Sequence, residues 1–340
     1  MQLFELTRML VDIDSTTNHE KPVADFLFSH LATLASRHQG HIERQPVAAD
    51  RENIFVTWGD PVVALSTHMD TVPPFFPSRE DDRHIWGRGS CDAKGIIASM
   101  IAAAENLLAA GERNLALLFV VGEERNSAGA LAAAQTPRGS RFLINGEPTE
   151  NQLALGCKGA LRFELTARGK LAHSAYPQLG HSAINELLDA LQKIREIQLP
   201  SDPLLGASTL NIGTIAGGRA PNVIADEARA ELMFRTVGDP ASIREAVSSV
   251  ASRNSSLEVC ETFYTAAAHL SPLDGIPTTV VAFTTDIPSF DGAWGKPFLI
   301  GPGSIHLAHT AEERIPKQQL LEAVQLYSTM ARKLIHGSAA

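Results

Sequence analysis

The chain has 340 residues, 44% of them hydrophobic and 20% charged, which is the composition of an ordinary soluble globular protein. This length exceeds what one hydrophobic core usually serves, so we expect two domains. The net charge of −9 disfavours nucleic acid and an anionic membrane surface as partners. The three cysteines have no CxxC spacing, and the N-terminus lacks a signal-peptide pattern, so we predict a cytoplasmic protein.

The first part of the chain alternates extended and helical patterns. Apolar residues at helical spacing predict a helix over 23–38, and apolar runs on either side of Gly59-Asp60-Pro61 predict two strands. Further elements follow in the order helix, strand, helix, strand, over residues 96–110, 115–121, 127–134 and 142–145. This alternation favours an α/β fold with a mostly parallel sheet covered by helices.

Side chains that bind metals or transfer protons follow several of these strands. His68 and Asp70 follow the second strand, Glu123-Glu124 follows the third, and Glu147 follows the fourth. The carboxyl ends of strands in an open parallel sheet line the ligand crevice, so we expect these side chains to converge. Histidine and carboxylate ligands suit zinc or a similar divalent ion.

Two of these motifs also have simpler interpretations. His68 and Asp70 lie on the same face of a strand end, where Asp70 could fix the tautomer of a ligating histidine, but such a pair alone is more often a polar surface feature. The adjacent Glu123 and Glu124 repel one another unless a cation compensates. A solvated helix start also favours acids, although the apolar run that precedes the pair argues against that interpretation.

Asp92 and His309 belong to glycine-containing turns. The segment 87–95 opens a helix and would serve as a phosphate loop or an N-cap, but it lacks the third glycine of GxGxxG and the P-loop spacing. A carboxylate at such a turn, here Asp92, can instead present its two oxygens to two metals. In the segment 301–313, His306 and His309 are equal candidates by sequence alone. Neither HExxH nor GxSxG is present.

The pattern changes near Cys157, where residues 160–168 alternate as in a half-exposed antiparallel strand. The following elements give the order β-α-β-β-α-β, which predicts a ferredoxin-like α+β domain over 158–265. This domain interrupts a catalytic domain formed by residues 1–157 and 266–340. Residues 280–283 are interpreted as an element of the catalytic domain, and residues 317–335 as its closing helix.

Taken together, the motifs resemble the family of two-metal aminoacylases and carboxypeptidases that includes acetylornithine deacetylase, succinyl-diaminopimelate desuccinylase and glutamate carboxypeptidase. The resemblance runs from Ser15 and Glu20 to the last helix. It is carried by STHMDTVP (66–73), WGRGSCDAKG (86–95), GEE (122–124), GEPT (146–149), AHSAYP (172–177) and AHT (308–310). Each motif is weak alone, whereas the set is highly specific.

The resemblance implies two metal ions that share one carboxylate. The implied ligands are His68, Asp92 and Glu147 for one ion, and Asp92, Glu124 and His309 for the other. It also selects His309 over His306, gives Asp70 the task of orienting His68, and makes Glu123 the general base. Zinc is the expected metal, and cobalt and manganese accept the same ligands.

For the inserted domain the resemblance implies a lid that also joins two chains into a homodimer. His173 would donate a hydrogen bond to the reaction's oxyanion across that dimer. The implied substrate contacts are Asn222, Arg235, Gly301 and Ser304. Arginine suits a carboxylate through its bidentate fork. Without the resemblance, His173 would be interpreted as a polar loop residue, and an exposed strand position would explain Arg235 equally well.

The expected function is hydrolysis of a small-molecule N-acyl amino acid by an acetylornithine deacetylase-like enzyme of arginine or lysine biosynthesis. A succinyl-diaminopimelate desuccinylase and a metal-dependent dipeptidase or carboxypeptidase would use the same metal site, so they remain alternatives. A non-catalytic binding protein with this fold is a distant alternative, because every implied ligand and the base are present.

Overall fold

A computed structural model describes residues 2–337 of the chain. These residues form two compact units. Unit 1 comprises the described residues up to Leu155, Leu270–Thr279, and those from Thr285 onward; unit 2 comprises Gly156–His269 and Val280–Thr284. Residues 156–157, 266–269 and 280–284, which the sequence pattern assigns to the catalytic domain, therefore belong to unit 2.

The elements are numbered along the whole chain. The α-helices are α1 (Leu3–Val11), α2 (Lys21–Arg37), α3 (Lys94–Ala109), α4 (Ala128–Ala134), α5 (Ala183–Arg195), α6 (Ala241–Ser252) and α7 (Lys317–His336). The strands are β1 (His41–Ala48), β2 (Arg51–Trp58), β3 (Val63–His68), β4 (Arg79–Glu80), β5 (His84–Trp86), β6 (Leu115–Val120), β7 (Phe142–Asn145), β8 (Leu153–Cys157), β9 (Gly159–Arg168), β10 (Ser201–Asp202), β11 (Gly206–Ala207), β12 (Thr209–Gly217), β13 (Glu227–Thr236), β14 (Leu257–Thr265), β15 (Ala268–His269), β16 (Thr278–Val281), β17 (Lys296–Leu299) and β18 (Arg314–Pro316). Short 3-10 helices span Pro177–Leu179 and Ile287–Phe290.

The main sheet of unit 1 has the strand order β1-β2-β6-β3-β7-β17-β8. Its centre, β6-β3-β7-β17, is parallel, whereas β1 and β2 on one side and β8 on the other are antiparallel to their neighbours. The predicted α/β fold is confirmed, with parallel strands at the centre of the sheet. In register, His68 pairs with Val120 and Ser66 pairs with Asn145, so β6 ends level with β3 and β7 ends two residues before it, at the same edge of the sheet.

Apolar side chains cover both faces of this sheet. Leu65 of β3 and Leu117 of β6 belong to the core cluster that includes α3 and α7, whereas Ala64 and Leu118 belong to the cluster on the opposite face with Trp294. Strands covered on both faces carry apolar residues along most of their length, which explains the nearly continuous apolar runs in the sequence. A separate small sheet in this unit, β18-β5-β4, lies beside the turn that carries Asp92.

Unit 2 is an antiparallel sheet of order β12-β13-β9-β14 with helices α5 and α6. Alternate residues of β9, such as Leu161 and Leu165, pack into a core with residues of both helices, including Leu187 and Val247. The predicted β-α-β-β-α-β order is found for β9, α5, β12, β13, α6 and β14, and the short strands β10 and β11 pair separately between α5 and β12. Among residues 2–337, no helix combines the length and apolar character that a bilayer span requires.

Candidate metal centre

The side chains that follow β3, β6 and β7 meet in unit 1 with those of the turns at 87–92 and 301–310. Ligand atoms of His68, Asp92 and Glu124 lie within 4.8 Å of one another. His309 joins them, because its Nε2 lies 3.1 Å from Oε1 of Glu124. The carboxyl ends of the parallel strands lie at one edge of the sheet, so the side chains at these strand ends converge there.

Asp92 lies between the two imidazoles. Its Oδ1 is 3.0 Å from Nε2 of His68, and its Oδ2 is 3.3 Å from Nε2 of His309. Burial alone would raise the pKa of Asp92, but hydrogen bonds from His309 and His68 outweigh it and lower that pKa below its ordinary value. Because each oxygen faces a different histidine, Asp92 has the geometry that a bridging ligand needs.

Asp70 supports this arrangement through the neighbouring backbone. One of its oxygens accepts the backbone N–H of Gly122 at 2.9 Å and of Glu123 at 3.0 Å. The same oxygen is 3.5 Å from Nδ1 of His68, and the backbone carbonyl of Asp70 is 3.0 Å from that nitrogen. These contacts hold Nε2 of His68 toward Asp92 and connect the end of β3 with the turn after β6.

Glu123 and Glu147 contribute further carboxylates to the site. Glu147 is buried, and its Oε1 has no hydrogen-bond partner within the described part of the chain. Glu123 is partly buried; desolvation and the nearby Glu147 carboxylate raise its pKa well above the ordinary value. Carboxylates that burial keeps apart from water are stabilised by cations. The donor set and the unsatisfied Glu147 oxygen therefore fit divalent metal ions.

Asp286 is a further buried carboxylate that the sequence pattern does not predict. Neither of its oxygens makes a hydrogen bond within residues 2–337, although the Ser127 hydroxyl is near enough to lower its pKa. Burial dominates and raises the pKa of Asp286 to about 7, and the charges of Asp70 and Glu124 add to the increase. No strand directly precedes Asp286, so the rule that identifies strand ends does not mark it.

Gly301 and Ser304 lie beside this centre in unit 1. A Cβ atom at Gly301 would lie 2.6 Å from the carbonyl oxygen of Glu147 and 3.0 Å from the Tyr327 hydroxyl. The N–H of Gly301 donates to Thr149 at 3.0 Å, so its backbone is engaged within the protein. Ser304 is half-buried. Gly301 thus packs directly against the backbone of Glu147.

The remaining predicted residues lie in unit 2. His173 and Asn222 are exposed neighbours, because the carbonyl of Asn222 accepts the N–H of Ser174 at 3.0 Å. Nδ1 of His173 accepts the N–H of Ala175 at 3.1 Å, which places the imidazole proton of the neutral ring on Nε2. Arg235 is half-buried and donates to the Thr284 hydroxyl at 3.3 Å.

Comparison with known proteins identifies the family. Residues 64–333 match the family described as peptidase family M20/M25/M40. The chain belongs to this family. A peptidase M20 domain-containing protein of Schizosaccharomyces pombe is 39% identical over 96% of this chain and 84% of its own length. A probable carboxypeptidase of Aspergillus terreus is 37% identical over 97% of this chain and 85% of its own length.

Solved structures agree on the fold of this M20 family member. An M20 family metallo-carboxypeptidase from Sulfolobus solfataricus has a TM-score of 0.80 at 16% identity, and the match covers 98% of this chain and 99% of that one. The predicted resemblance to metal-dependent aminoacylases and carboxypeptidases is thus confirmed at the level of the family. The matches do not single out the acetylornithine deacetylases.

Proposed function

We propose that this chain is a dinuclear metal-dependent hydrolase that cleaves the amide bond between an acyl group and an amino acid with a free carboxylate. The position of Asp92 between His68 and His309 is the observation that carries this proposal. An acetyl group on the substrate would make the enzyme a deacetylase like acetylornithine deacetylase. A peptidyl group would make it a carboxypeptidase.

Five side chains would hold the metals. They are His68, Asp92, Glu124, Glu147 and His309, with Asp92 shared between the two ions. Zinc is the proposed metal, and cobalt or manganese would fit the same oxygen and nitrogen donors. When bound, such a pair lowers the pKa of the attacking water and polarises the substrate carbonyl.

Glu123 is the proposed general base. Its backbone N–H donates to Asp70, and its carboxylate lies near that of Glu147 in the same centre. Glu123 would take a proton from the attacking water and return it to the nitrogen of the leaving amine. A positioned acid–base group of this kind contributes roughly 10²- to 10⁴-fold in rate.

Substrate contacts are also proposed for residues of unit 2. The Nε2–H of His173 is available to donate to the oxyanion that forms from the carbonyl, a contribution of about 3 kcal/mol. Asn222 and Arg235 would bind the substrate carboxylate, and Ser304 would contact the substrate from unit 1. We propose that Gly301 instead supports Glu147, because its backbone N–H is engaged and it has no side chain to offer.

The quaternary structure and location are also proposals. A homodimer formed through unit 2 would let His173 of one chain reach the metal centre of the other. Exposed apolar residues of this unit, Leu188 at 51% and Ile215 at 55% exposure, are suited to such an interface. The sparse cysteines favour the cytoplasm.

The carboxypeptidase is the second candidate, and the names of relatives favour it. The Aspergillus terreus relative and the Sulfolobus solfataricus structure are both named carboxypeptidases. A desuccinylase or a dipeptidase would use the same metal ligands, so the residues alone do not separate them. A role in arginine or lysine biosynthesis would follow only from an acetylated basic amino acid as substrate.

A substrate panel tests the proposal. Amine release is measured from N-acetylornithine, N-acetyl-lysine, N-succinyl-diaminopimelate and a set of dipeptides and N-blocked dipeptides, with zinc or cobalt added and with chelator. Turnover that the chelator abolishes supports the proposal, and the preferred acyl group distinguishes deacetylase from carboxypeptidase. Equal turnover by a Glu123→Gln variant would show that the reaction does not occur at this site.

A further inference from the structure

Glu313 is a buried glutamate that follows His309 in the same segment and directly precedes β18. Its Oε1 accepts three backbone N–H groups of the turn that carries the bridging carboxylate. The distances are 2.9 Å to Gly89, 3.3 Å to Cys91 and 3.3 Å to Asp92. One carboxylate oxygen therefore accepts three backbone hydrogen bonds from the turn at 87–92, which we call the Asp92 turn.

The second oxygen of Glu313 is held by an arginine of the same turn. Oε2 accepts from Nη1 of Arg88 at 2.6 Å, and both side chains are almost fully buried, with 2% and 1% exposure. The backbone adds a further link, because the N–H of Gly87 donates to the carbonyl of Glu313 at 3.1 Å. Trp86 and Arg314, which flank Gly87 and Glu313 in sequence, also pair between β5 and β18.

The Asp92 turn has little freedom to adjust by itself. Gly89 has a φ of +86°, and a Cβ atom there would lie 2.8 Å from Thr71 and 3.0 Å from Lys94. A rigid turn held at three N–H groups transmits the position of Glu313 to the backbone of Asp92. Because Glu313 belongs to the segment of His309, it connects the bridging ligand with a ligand of only one of the two metals.

We propose that Glu313 is a positioning residue that sets the spacing of the two metal positions by fixing the Asp92 turn against the His309 segment. The inference rests on the proposed dinuclear function. A merely structural role would lower the stability of the fold and leave the metal pair unchanged. A positioning role changes the affinity for the more weakly bound ion. It also changes the Asp92 bridge between the two ions, even in protein that is fully folded.

The test is Glu313→Gln, which preserves the shape of the side chain. The amide places a donor either against Arg88 or against the N–H groups of the Asp92 turn. Ser140→Ala is the control, because it removes a buried hydrogen bond of 2.7 Å to the carbonyl of Trp294 and touches no proposed ligand. Thermal unfolding of the metal-free proteins compares the loss of stability in the two variants.

Two readouts report on the metals alone. Calorimetric titration with Co²⁺ gives the two dissociation constants, and electron paramagnetic resonance of protein loaded with two Mn²⁺ gives their exchange coupling. For Glu313→Gln we expect the weaker site to lose about 10- to 100-fold in affinity, as is usual when a group that supports a ligand is changed. We also expect altered coupling. Ser140→Ala should match the wild-type protein in both measurements.

A second variant keeps the inference testable if Glu313→Gln is unstable. In Arg88→Met/Glu313→Gln the arginine donor is gone, so the amide oxygen can again accept from the Asp92 turn. Partial recovery of the affinity for the second ion is expected. Wild-type constants and coupling in Glu313→Gln, or no recovery in the double variant, would overturn the inference. A wild-type protein that binds fewer than two ions would overturn the proposed function itself.

Discussion

Asp92 is the proposed bridging ligand of the metal centre, and Glu123 is the proposed general base. Glu123→Gln removes the base and leaves the five proposed ligands in place. We expect kcat to fall by about 10²- to 10⁴-fold while two metal ions remain bound. Steady-state kinetics and metal analysis of one preparation measure both effects. Glu322→Gln, at an exposed position of α7, is the control and should retain wild-type kcat.

Gly301 packs against the backbone of Glu147, so a larger residue at position 301 should displace this proposed ligand. Gly301→Ala places a methyl group 2.6 Å from the carbonyl oxygen of Glu147, so the backbone of this proposed ligand must move. We expect metal affinity to fall by at least about tenfold. Gly213→Ala is the matched control, since its Cβ would meet its nearest neighbour at an ordinary 3.7 Å. Equal metal affinities of the two variants would refute the proposed supporting role of Gly301.

Sequence reasoning predicts site residues well where a local rule exists. His68, Glu123 and Glu147 follow buried strands, so an apolar run marks each of them. His309 could be separated from His306 only by resemblance, because both lie in one irregular segment. The contacts of Glu313 with the Asp92 turn span more than 220 residues of sequence, and no local pattern reports such a contact.

The spacing of apolar residues predicts helices and strands that are amphipathic or fully buried. It succeeds for β3 and β6, which are buried along their whole length, and for the alternating β9. It fails for β1, in which Gln45 is the one buried residue of eight and which contains Pro46. An edge strand can accept proline and polar residues because one side of it makes no ladder, so its sequence has little strand character.

Helix α6 and strand β14 are joined by a bidentate ion pair whose contribution depends on pH. Arg244 donates to Glu261 at 2.8 and 2.7 Å, and this hydrogen bonding lowers the pKa of Glu261 below its ordinary value of 4.5. A carboxylate with a lowered pKa stabilises the fold above pH 4.5 and loses that effect as the pH falls through its folded-state pKa.

We therefore expect Glu261→Gln to cost about 0.5 kcal/mol at pH 7, since the pair is partly exposed, and progressively less as the pH falls toward 4. Hydrogen exchange of the amides in β14, compared with the wild-type protein at each pH, measures this difference. Glu258→Gln is the control on the same strand, because Glu258 is 75% exposed and lies 4.0 Å from Arg168. A cost for Glu261→Gln that does not change with pH would contradict the assignment to ionisation.

The proposed homodimer can be tested with mixtures of two inactive variants. Neither Glu123→Gln nor His173→Ala alone should be active. If His173 acts across the dimer, a hybrid of the two variants contains one site with both residues intact. Random exchange would then restore about a quarter of wild-type activity, because half of the dimers are hybrids with one complete site each. Activity that stays at the level of the separate variants would place His173 on the same chain as its site, or outside catalysis.

The proposed function requires one carboxylate of this chain, that of Asp92, to hold two metal ions. Titration of the metal-free protein with Co²⁺, followed by calorimetry and by amide hydrolysis of the preferred substrate, tests it directly in the wild-type protein and in Asp92→Asn. We predict two ions per wild-type chain, activity that rises with their binding, and at most one tightly bound ion in inactive Asp92→Asn. Two ions bound with wild-type affinity in Asp92→Asn, or full activity of the chelated wild-type protein, would contradict the account.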